Sequence, residues 1–165
     1  MQNENIVCNI KNKKLTISVM ESCTGGLLCS NITDIEGCSS VLIGGYVTYT
    51  NEQKIRCGVP EHIINKYGVY SKECSQFMAT QAIENTQSSI GIGVTGSLGN
   101  VDTNNKDSII GKIYYTIVIG TDINTYEISL TPDMITFLTR NGQKSLVVNK
   151  IIEQLNKLLE DNNNV

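Results

Sequence analysis

The fold is decided by residues 15–28, which read Leu15-Thr-Ile-Ser-Val-Met-Glu-Ser-Cys-Thr-Gly-Gly-Leu-Leu28. The first five residues alternate and are rich in β-branched side chains, as is typical of a strand. Thr24-Gly25-Gly26 then open a stretch in which apolar residues recur at helical spacing, at Leu28, Ile32 and Ile35. This segment therefore predicts a strand, a tight turn and a helix.

Four more strands and three more helices are predicted along the rest of the chain. The strands are expected at 41–49, 90–95, 112–119 and 125–130, the last two forming a hairpin with its turn near 120–124. The helices are expected at 60–68, at 71–85 with Ser71 as the cap, and at about 143–160. Residues 97–110 are polar and predict a functional or mobile loop, whereas 131–142 show no clear pattern.

Strands that alternate with helices favour a three-layer α/β/α domain with a mixed, partly parallel sheet. The 165 residues, 40% of them hydrophobic, suffice for one core and are too few for two ordinary domains. We expect a single domain over 1–165, with poorly ordered ends at 1–13 and 161–165. Ligands of such sheets bind at the carboxyl ends of strands, so Ser22 and residues 49–54 and 95–100 are expected to share one rim.

The composition excludes several classes of protein. A net charge of −3 and scattered lysines give no broad positive field for a nucleic-acid backbone, so the expected partner is a small molecule. Polar residues and glycines interrupt the apolar runs, so no membrane span is predicted. The N-terminal residues lack the pattern of a secretory signal. We therefore expect a cytoplasmic protein.

The cysteines predict neither disulfides nor a metal site. The chain has six, at Cys8, Cys23, Cys29, Cys38, Cys57 and Cys74. They are spread through predicted regular segments, so free and mostly buried thiols are expected. No C-x-x-C pair occurs and there is one histidine, so a zinc site would need an unusual ligand set. We expect no metal and no cofactor.

The turn after the first strand contains a candidate nucleophile, Ser22. Unpaired backbone N–H groups around Thr24, Gly25 and Gly26 could stabilise an oxyanion formed there. The alternative is an ordinary helix start, capped by Thr24, with glycines that allow close packing. From the residues alone, this alternative is favoured.

A nucleophilic serine needs a base, and the single histidine, His62, lies in a helix predicted to be exposed. Lysine can act as the base when burial lowers its pKa, and tyrosine can relay a proton. Tyr49 and Lys54 flank the end of the second strand, although each could equally be an ordinary surface or core-edge side chain. Cys23, next to Ser22, is a rival nucleophile.

The stretch Gly91-Ile-Gly-Val-Thr-Gly96 matches the dinucleotide-binding pattern G-x-G-x-x-G. That pattern requires glycines at a turn from strand to helix. Here the first two glycines lie inside a predicted strand, and no helix follows. NAD binding is therefore not predicted, while Thr95 and Gly96 stay candidates for lining a pocket.

Several motifs, in order along the chain, resemble the CinA C-terminal domain family. They include Glu21-Ser-Cys-Thr-Gly-Gly-Leu-Leu28, Gly45-Tyr-Val-Thr-Tyr-Thr-Asn-Glu-Gln-Lys54, Tyr67-Gly-Val-Tyr-Ser71 and Ile92-Gly-Val-Thr-Gly96. The similarity covers about residues 15–120 well and the last helix loosely.

The resemblance implies a metal-independent amidohydrolase that converts nicotinamide mononucleotide into nicotinic acid mononucleotide and ammonia. It implies Ser22 as the nucleophile, Lys54 and Tyr49 as proton-transfer groups, and a stand-alone domain that forms a homodimer. In that mechanism the oxyanion donors are Thr24, Gly25 and Gly26. Candidates for substrate binding are Thr48, Asn51, Thr95, Gly96, Asn100 and Arg140.

The loop after the third strand departs from the family pattern. Where the family commonly reads T-G-x-A-G-P, this chain has Thr95-Gly-Ser-Leu-Gly-Asn100 followed by an Asn/Asp-rich stretch. Two alternatives therefore stay open. One is a non-catalytic nucleotide-binding or regulatory module of the same fold, and the other is a hydrolase of another amide.

Overall fold

A five-stranded mixed sheet runs through the centre of the structure, a computed structural model that describes residues 2–161 and the side chains from residue 6 onward. Its strands are β1 (Ile17–Glu21), β2 (Leu42–Val47), β3 (Ile90–Gly96), β4 (Lys112–Ile119) and β5 (Asp122–Ser129). They lie in the order β2-β1-β3-β4-β5. β1 pairs in parallel with β2 and β3, whereas β3 with β4 and β4 with β5 are antiparallel. The mixed, partly parallel sheet is confirmed.

Helices cover both faces of the sheet. They are α1 (Gln2–Asn12), α2 (Leu27–Thr33), α3 (Asn51–Arg56), α4 (Glu61–Tyr67), α5 (Lys72–Thr86), α6 (Pro132–Phe137) and α7 (Arg140–Asp161). Because neighbouring side chains on a strand face opposite ways, Val19 packs into the core beneath α1, α2 and α7, and Met20 packs beneath α4 and α5. The result is the predicted α/β/α arrangement of layers.

The expectation of a poorly ordered N-terminal segment needs a correction, because α1 forms there. Ile6, Val7 and Ile10 make one apolar stripe and are buried, and α1 packs against α7. Burial of this stripe explains the order. Of the predicted ill-ordered residues, Met1 and 162–165 lie outside the described part of the chain, while Asp161 ends α7.

Local chemistry accounts for the segment that showed no clear pattern, 131–142. The Thr131 hydroxyl accepts a hydrogen bond from the Met134 N–H, and Pro132 occupies the first turn, so α6 begins there. Helix α7 begins at Arg140, three residues earlier than predicted. The first turn of α7 therefore carries Arg140.

The hairpin is tighter than predicted, with β5 starting at Asp122 and not at residue 125. Gly120 adopts a φ of +59°, and Ile119 pairs with Asp122, so two residues complete the turn. Asp122 and Asn124 suggested a turn because such residues are uncommon in strands. They are tolerated here because β5 is an edge strand, in which Asp122 is exposed and Asn124 is only partly buried.

The remaining expectations concern cysteines and membranes. All six thiols are free, but only Cys23 and Cys74 are buried, so the expectation of mostly buried thiols is wrong. The other four lie in α1, in α2 and at helix ends, where their side chains reach solvent.

Within residues 2–161, no helix is long and apolar enough to cross a bilayer.

Candidate active site

Three segments that follow parallel strands meet around one cavity of about 540 Å³. Ser22 follows β1, and Tyr49 and Asn51 follow β2. Gly96 ends β3, and the loop after it contributes Asn100. Arg140, at the start of α7, lines the same cavity. The structure thus brings together residues that are far apart in the sequence.

Ser22 lines this cavity, and Lys54, which lies outside the lining, contacts the Ser22 side chain. The Lys54 Nζ lies 3.1 Å from the Ser22 Oγ, and it donates a hydrogen bond to the Thr48 carbonyl oxygen at 2.9 Å. Only 2% of Lys54 and 5% of Ser22 are exposed to solvent. Thr50 caps α3 by accepting from the Gln53 N–H, which holds the helix that carries Lys54.

Burial lowers the pKa of Lys54 from its ordinary value of 10.5, because a desolvated ammonium is costly. The charges of Cys74, Cys23 and Asp102 would oppose this shift. Burial, however, raises the pKa of Cys74 to about 11 and that of Cys23 to about 12, so both are neutral thiols near pH 7. A neutral Lys54 amine can accept the Ser22 proton.

Cys23 is a weak rival nucleophile because burial keeps its thiol in the unreactive form. It touches the cavity, but only 5% of it is exposed, and its raised pKa keeps the thiol protonated. The thiolate, and not the thiol, is the reactive form of cysteine. The geometry favours the hydroxyl of Ser22.

The predicted oxyanion donors need a correction at two of three positions. The Gly25 N–H donates to the Ser22 carbonyl oxygen, and the Gly26 N–H donates to a carboxylate oxygen of Glu21. Glu21 also accepts from the N–H groups of Leu28 and Cys29, so this buried carboxylate satisfies the start of α2.

The backbone N–H groups of Cys23 and Thr24 are better placed to serve as oxyanion donors. They directly follow Ser22; within the described residues the Thr24 N–H has no acceptor, and the Cys23 N–H meets only the thiol of its own side chain. Gly25 and Gly26 allow the turn to form, because they adopt φ values of +61° and +93°, which other residues rarely adopt. The cap proposed for Thr24 is absent, because Gly26 is the N-cap of α2.

Two predicted substrate-binding side chains point elsewhere. The Thr48 hydroxyl donates to the Glu21 carbonyl oxygen, and the Thr95 hydroxyl donates to the Val69 carbonyl oxygen. Both residues are fully buried and outside the cavity lining. Their hydroxyls support the backbone around the site and are not free to contact a ligand.

Tyr49 lines the cavity with 61% of its surface exposed. Its hydroxyl accepts a hydrogen bond from an Arg140 guanidinium nitrogen at 3.4 Å. Within the described residues, no hydrogen bond joins Tyr49 to Ser22 or Lys54. Tyr49 and Arg140 thus form one edge of the cavity, beside the Ser22–Lys54 pair.

Three further lining residues, Tyr70, Asp102 and Asn105, were not predicted from the sequence. Asp102 accepts hydrogen bonds from the Tyr70 hydroxyl and, at 2.7 Å, from the Asn105 side-chain amide. Asn105 also exchanges side-chain hydrogen bonds with Asn51 at 2.8 and 3.3 Å. The length and polarity of the 97–110 loop indicated in the sequence that this segment could be functional. They did not show which residues its side chains would contact.

Gly91 and Gly93, which match the dinucleotide-binding pattern, allow close packing of a helix on the sheet. A Cβ on Gly91 would lie 2.2 Å from the Ala79 carbonyl oxygen, and one on Gly93 would lie 2.3 Å from the Ser75 carbonyl oxygen. The glycines therefore let α5 approach β3.

Within residues 2–161, no group of three or more His, Cys, Asp or Glu side chains is placed to hold a metal ion.

The sequence profile of the CinA C-terminal domain family matches residues 2–156 of the chain. The chain belongs to this family. A protein from Caldicellulosiruptor bescii is 32% identical over 153 residues, which is 91% of this chain and 37% of that protein. A CinA-like protein from Dictyoglomus thermophilum is 36% identical over 132 residues, 79% of this chain and 32% of that protein. This CinA-type chain therefore spans about a third of the length of these curated relatives.

Solved structures of the CinA superfamily share the fold. A superfamily protein from Klebsiella pneumoniae superposes with a TM-score of 0.87 at 17% identity, covering 97% of this chain and 96% of that one. The competence/damage inducible protein CihA from Agrobacterium tumefaciens gives a TM-score of 0.84 at 24% identity, covering 95% and 93%. At these identities the match shows the CinA architecture alone.

Proposed function

We propose that this CinA-family domain is a serine-type amidohydrolase that converts nicotinamide mononucleotide into nicotinic acid mononucleotide and ammonia. The observation that carries the proposal is the 3.1 Å separation between the Nζ of the buried Lys54 and the Oγ of Ser22, which lines a cavity of about 540 Å³. A hydroxyl beside an amine with a lowered pKa is an activated nucleophile. The substrate comes from the resemblance of the site motifs to deamidating members of the family.

The first half of the reaction forms an acyl-enzyme. The Ser22 Oγ attacks the carboxamide carbon while its proton passes to the neutral Lys54 amine. The N–H groups of Cys23 and Thr24 stabilise the oxyanion of the tetrahedral intermediate. The carbon–nitrogen bond then breaks, and a proton delivered from Lys54 with the help of Tyr49 lets the nitrogen leave as ammonia.

The second half regenerates the enzyme. Water attacks the acyl carbon, Lys54 takes the water proton, and the carbon–oxygen bond to Ser22 breaks with the proton returned to Ser22. The guanidinium of Arg140, on the cavity edge, is suited to the substrate phosphate because arginine binds phosphate oxygens in pairs. In this mechanism the protein supplies every proton-transfer group.

The test is ammonia release from nicotinamide mononucleotide by the wild type, Ser22→Ala and Lys54→Met. Loss of the nucleophile or of the base should reduce kcat by at least about a hundredfold. Ser39→Ala is the matched control, because Ser39 is exposed and lies outside the cavity lining. We expect this control to match the wild type.

Three outcomes separate the alternatives. A wild type that is inert at high enzyme concentration contradicts the deamidase assignment. Nucleotide binding without ammonia release, unaltered in Ser22→Ala, would indicate a non-catalytic binding module. Activity on other amides alone, lost in Ser22→Ala, would keep the hydrolase and change its substrate.

A further inference from the structure

Asp102 places a carboxylate in the wall of the cavity. Three donors hold it in place: the Tyr70 hydroxyl, the Asn105 side-chain amide at 2.7 Å, and the Asn104 backbone N–H at 2.8 Å. Two hydrogen bonds between Asn105 and Asn51 connect this group to the start of α3. The orientation of Asp102 is therefore set by its own loop, by Tyr70 and, through Asn105, by the start of α3.

These donors also keep Asp102 ionised. The hydrogen bonds from Asn105 and Tyr70 lower the pKa of the carboxyl group, because they stabilise its charged form. Burial, together with the hydrogen bond to Asp102, raises the pKa of Tyr70, so the phenol stays protonated and donates. The cavity thus has a fixed negative charge in its wall, close enough to act on Lys54.

Charges of both signs line the cavity. Asp102 and the exposed Glu52 supply negative charge, and Arg140, beside Tyr49, supplies a guanidinium. Tyr49 and Tyr70 contribute aromatic surface to the lining. Carboxylates and aromatic rings are the groups that stabilise an organic cation, and an arginine suits an anion.

We infer that Asp102 is a specificity-determining residue that selects a positively charged ring bearing the reactive carboxamide. The inference rests on the proposed function, whose nucleotide has such a ring in its oxidised form and an uncharged ring in its dihydro form. Asp102 attracts the cation while Arg140 holds the phosphate. The product ring gains a carboxylate, which the Asp102 charge repels, so the same residue favours product release.

The experiment measures binding of oxidised and dihydro nicotinamide mononucleotide by calorimetry. The full chain carrying Ser22→Ala is the parent, because it removes turnover. We expect the parent to bind the oxidised form about tenfold more tightly, as a single nearby charge in a partly solvated site predicts. Adding Asp102→Asn should reduce this preference to less than about threefold.

Two companion variants separate charge from loop structure. Asp107→Asn removes a charge from the same loop outside the cavity lining and should keep the full preference. Tyr70→Phe removes one donor but leaves the carboxylate, so most of the preference should persist. If Asp102→Asn fails to fold, the preference of the parent should still decrease between about 20 mM and about 500 mM salt.

The inference is overturned if the parent binds neither nucleotide, binds both equally, or keeps its preference in Asp102→Asn and at high salt. These results are distinct from failure of the proposed function. A wild type that releases no ammonia, with a parent that prefers the cation through Asp102, would contradict the amidohydrolase and retain the specificity residue.

Discussion

Lys54 shows how position changes the chemistry of a side chain. It lies in a short helix with polar neighbours in the sequence, yet only 2% of it is exposed. Its amine has just two hydrogen-bond partners in the described structure, the Thr48 carbonyl oxygen and Ser22 Oγ. Three protons on a charged ammonium would be poorly satisfied there, so this environment disfavours the charged form and lowers the pKa of Lys54.

This environment predicts the pH dependence of catalysis. Below the lowered pKa of Lys54 the amine is charged and cannot accept the Ser22 proton, so kcat/KM for ammonia release should rise with pH through that pKa. The rise should be tenfold per pH unit on its acidic side and level off below the ordinary value of 10.5. Initial rates between about pH 6 and about pH 9.5 measure it.

His62→Gln is the control for this profile. His62 is exposed in α4, outside the cavity lining, and is the only histidine in the chain. Its replacement should leave the profile unchanged. A profile that is flat in the wild type would rule out Lys54 as the base.

Among the elements, β3 and α5 depend most directly on small residues. Gly91 and Gly93 alternate with the buried Ile90, Ile92 and Val94, so β3 presents bulky side chains to one face and almost none to the other. α5 occupies the space above the glycines. The strand is thereby brought close to the helix that covers the second face of the sheet.

Gly93→Ala should destabilise the fold by about 1–3 kcal/mol, because the new methyl group would meet backbone atoms of α5. This corresponds to a decrease in Tm of roughly 2–10 °C, measured by circular dichroism. Gly44→Ala in β2 is the matched control, since its Cβ would lie 3.4 Å from the nearest atom, a Thr86 methyl carbon. Equal melting temperatures for the two variants would contradict this account.

The molecule as a whole depends on contacts between its two ends. α1 packs against α7, and together with α2 these helices cover one face of the sheet. The apolar stripe of α1 joins the same core as the strands, although most of the chain separates α1 from α7. Association of the terminal helices therefore completes the larger of the two cores.

Ile10→Ala should lower the free energy of unfolding by about 2–4 kcal/mol, because Ile10 is fully buried and its removal leaves a cavity. Urea unfolding followed by far-ultraviolet circular dichroism measures the change. Lys11→Ala, on the exposed side of the same helix, should change stability by less than about 0.5 kcal/mol. If Ile10→Ala were as stable as Lys11→Ala, α1 would not contribute to the core.

Local patterns predicted the five strands and four of the seven α-helices within residues 2–161, whereas α1, α3 and α6 and the order of the strands in the sheet were not predicted. Alternation of side chains identified the first strand, and Ser71 identified the start of α5. Motifs along the chain pointed to Ser22, Tyr49 and Lys54. These signals are short-range, because a strand, a cap or a motif depends on neighbouring residues. The residues alone left Ser22 and Lys54 ambiguous, and the family resemblance linked them.

Tertiary structure decided which polar groups hydrogen-bond to other parts of the protein and which stay available to a ligand. Glu21 occupies the donors at the start of α2, and Asp102 meets Tyr70 across 32 residues of sequence. The burial that lowers the pKa of Lys54 depends on the folded chain, in which its amine contacts Ser22, 32 residues away in the sequence. Hydrogen-bond partners and desolvation depend on residues distant in the chain, so they follow only from the folded arrangement.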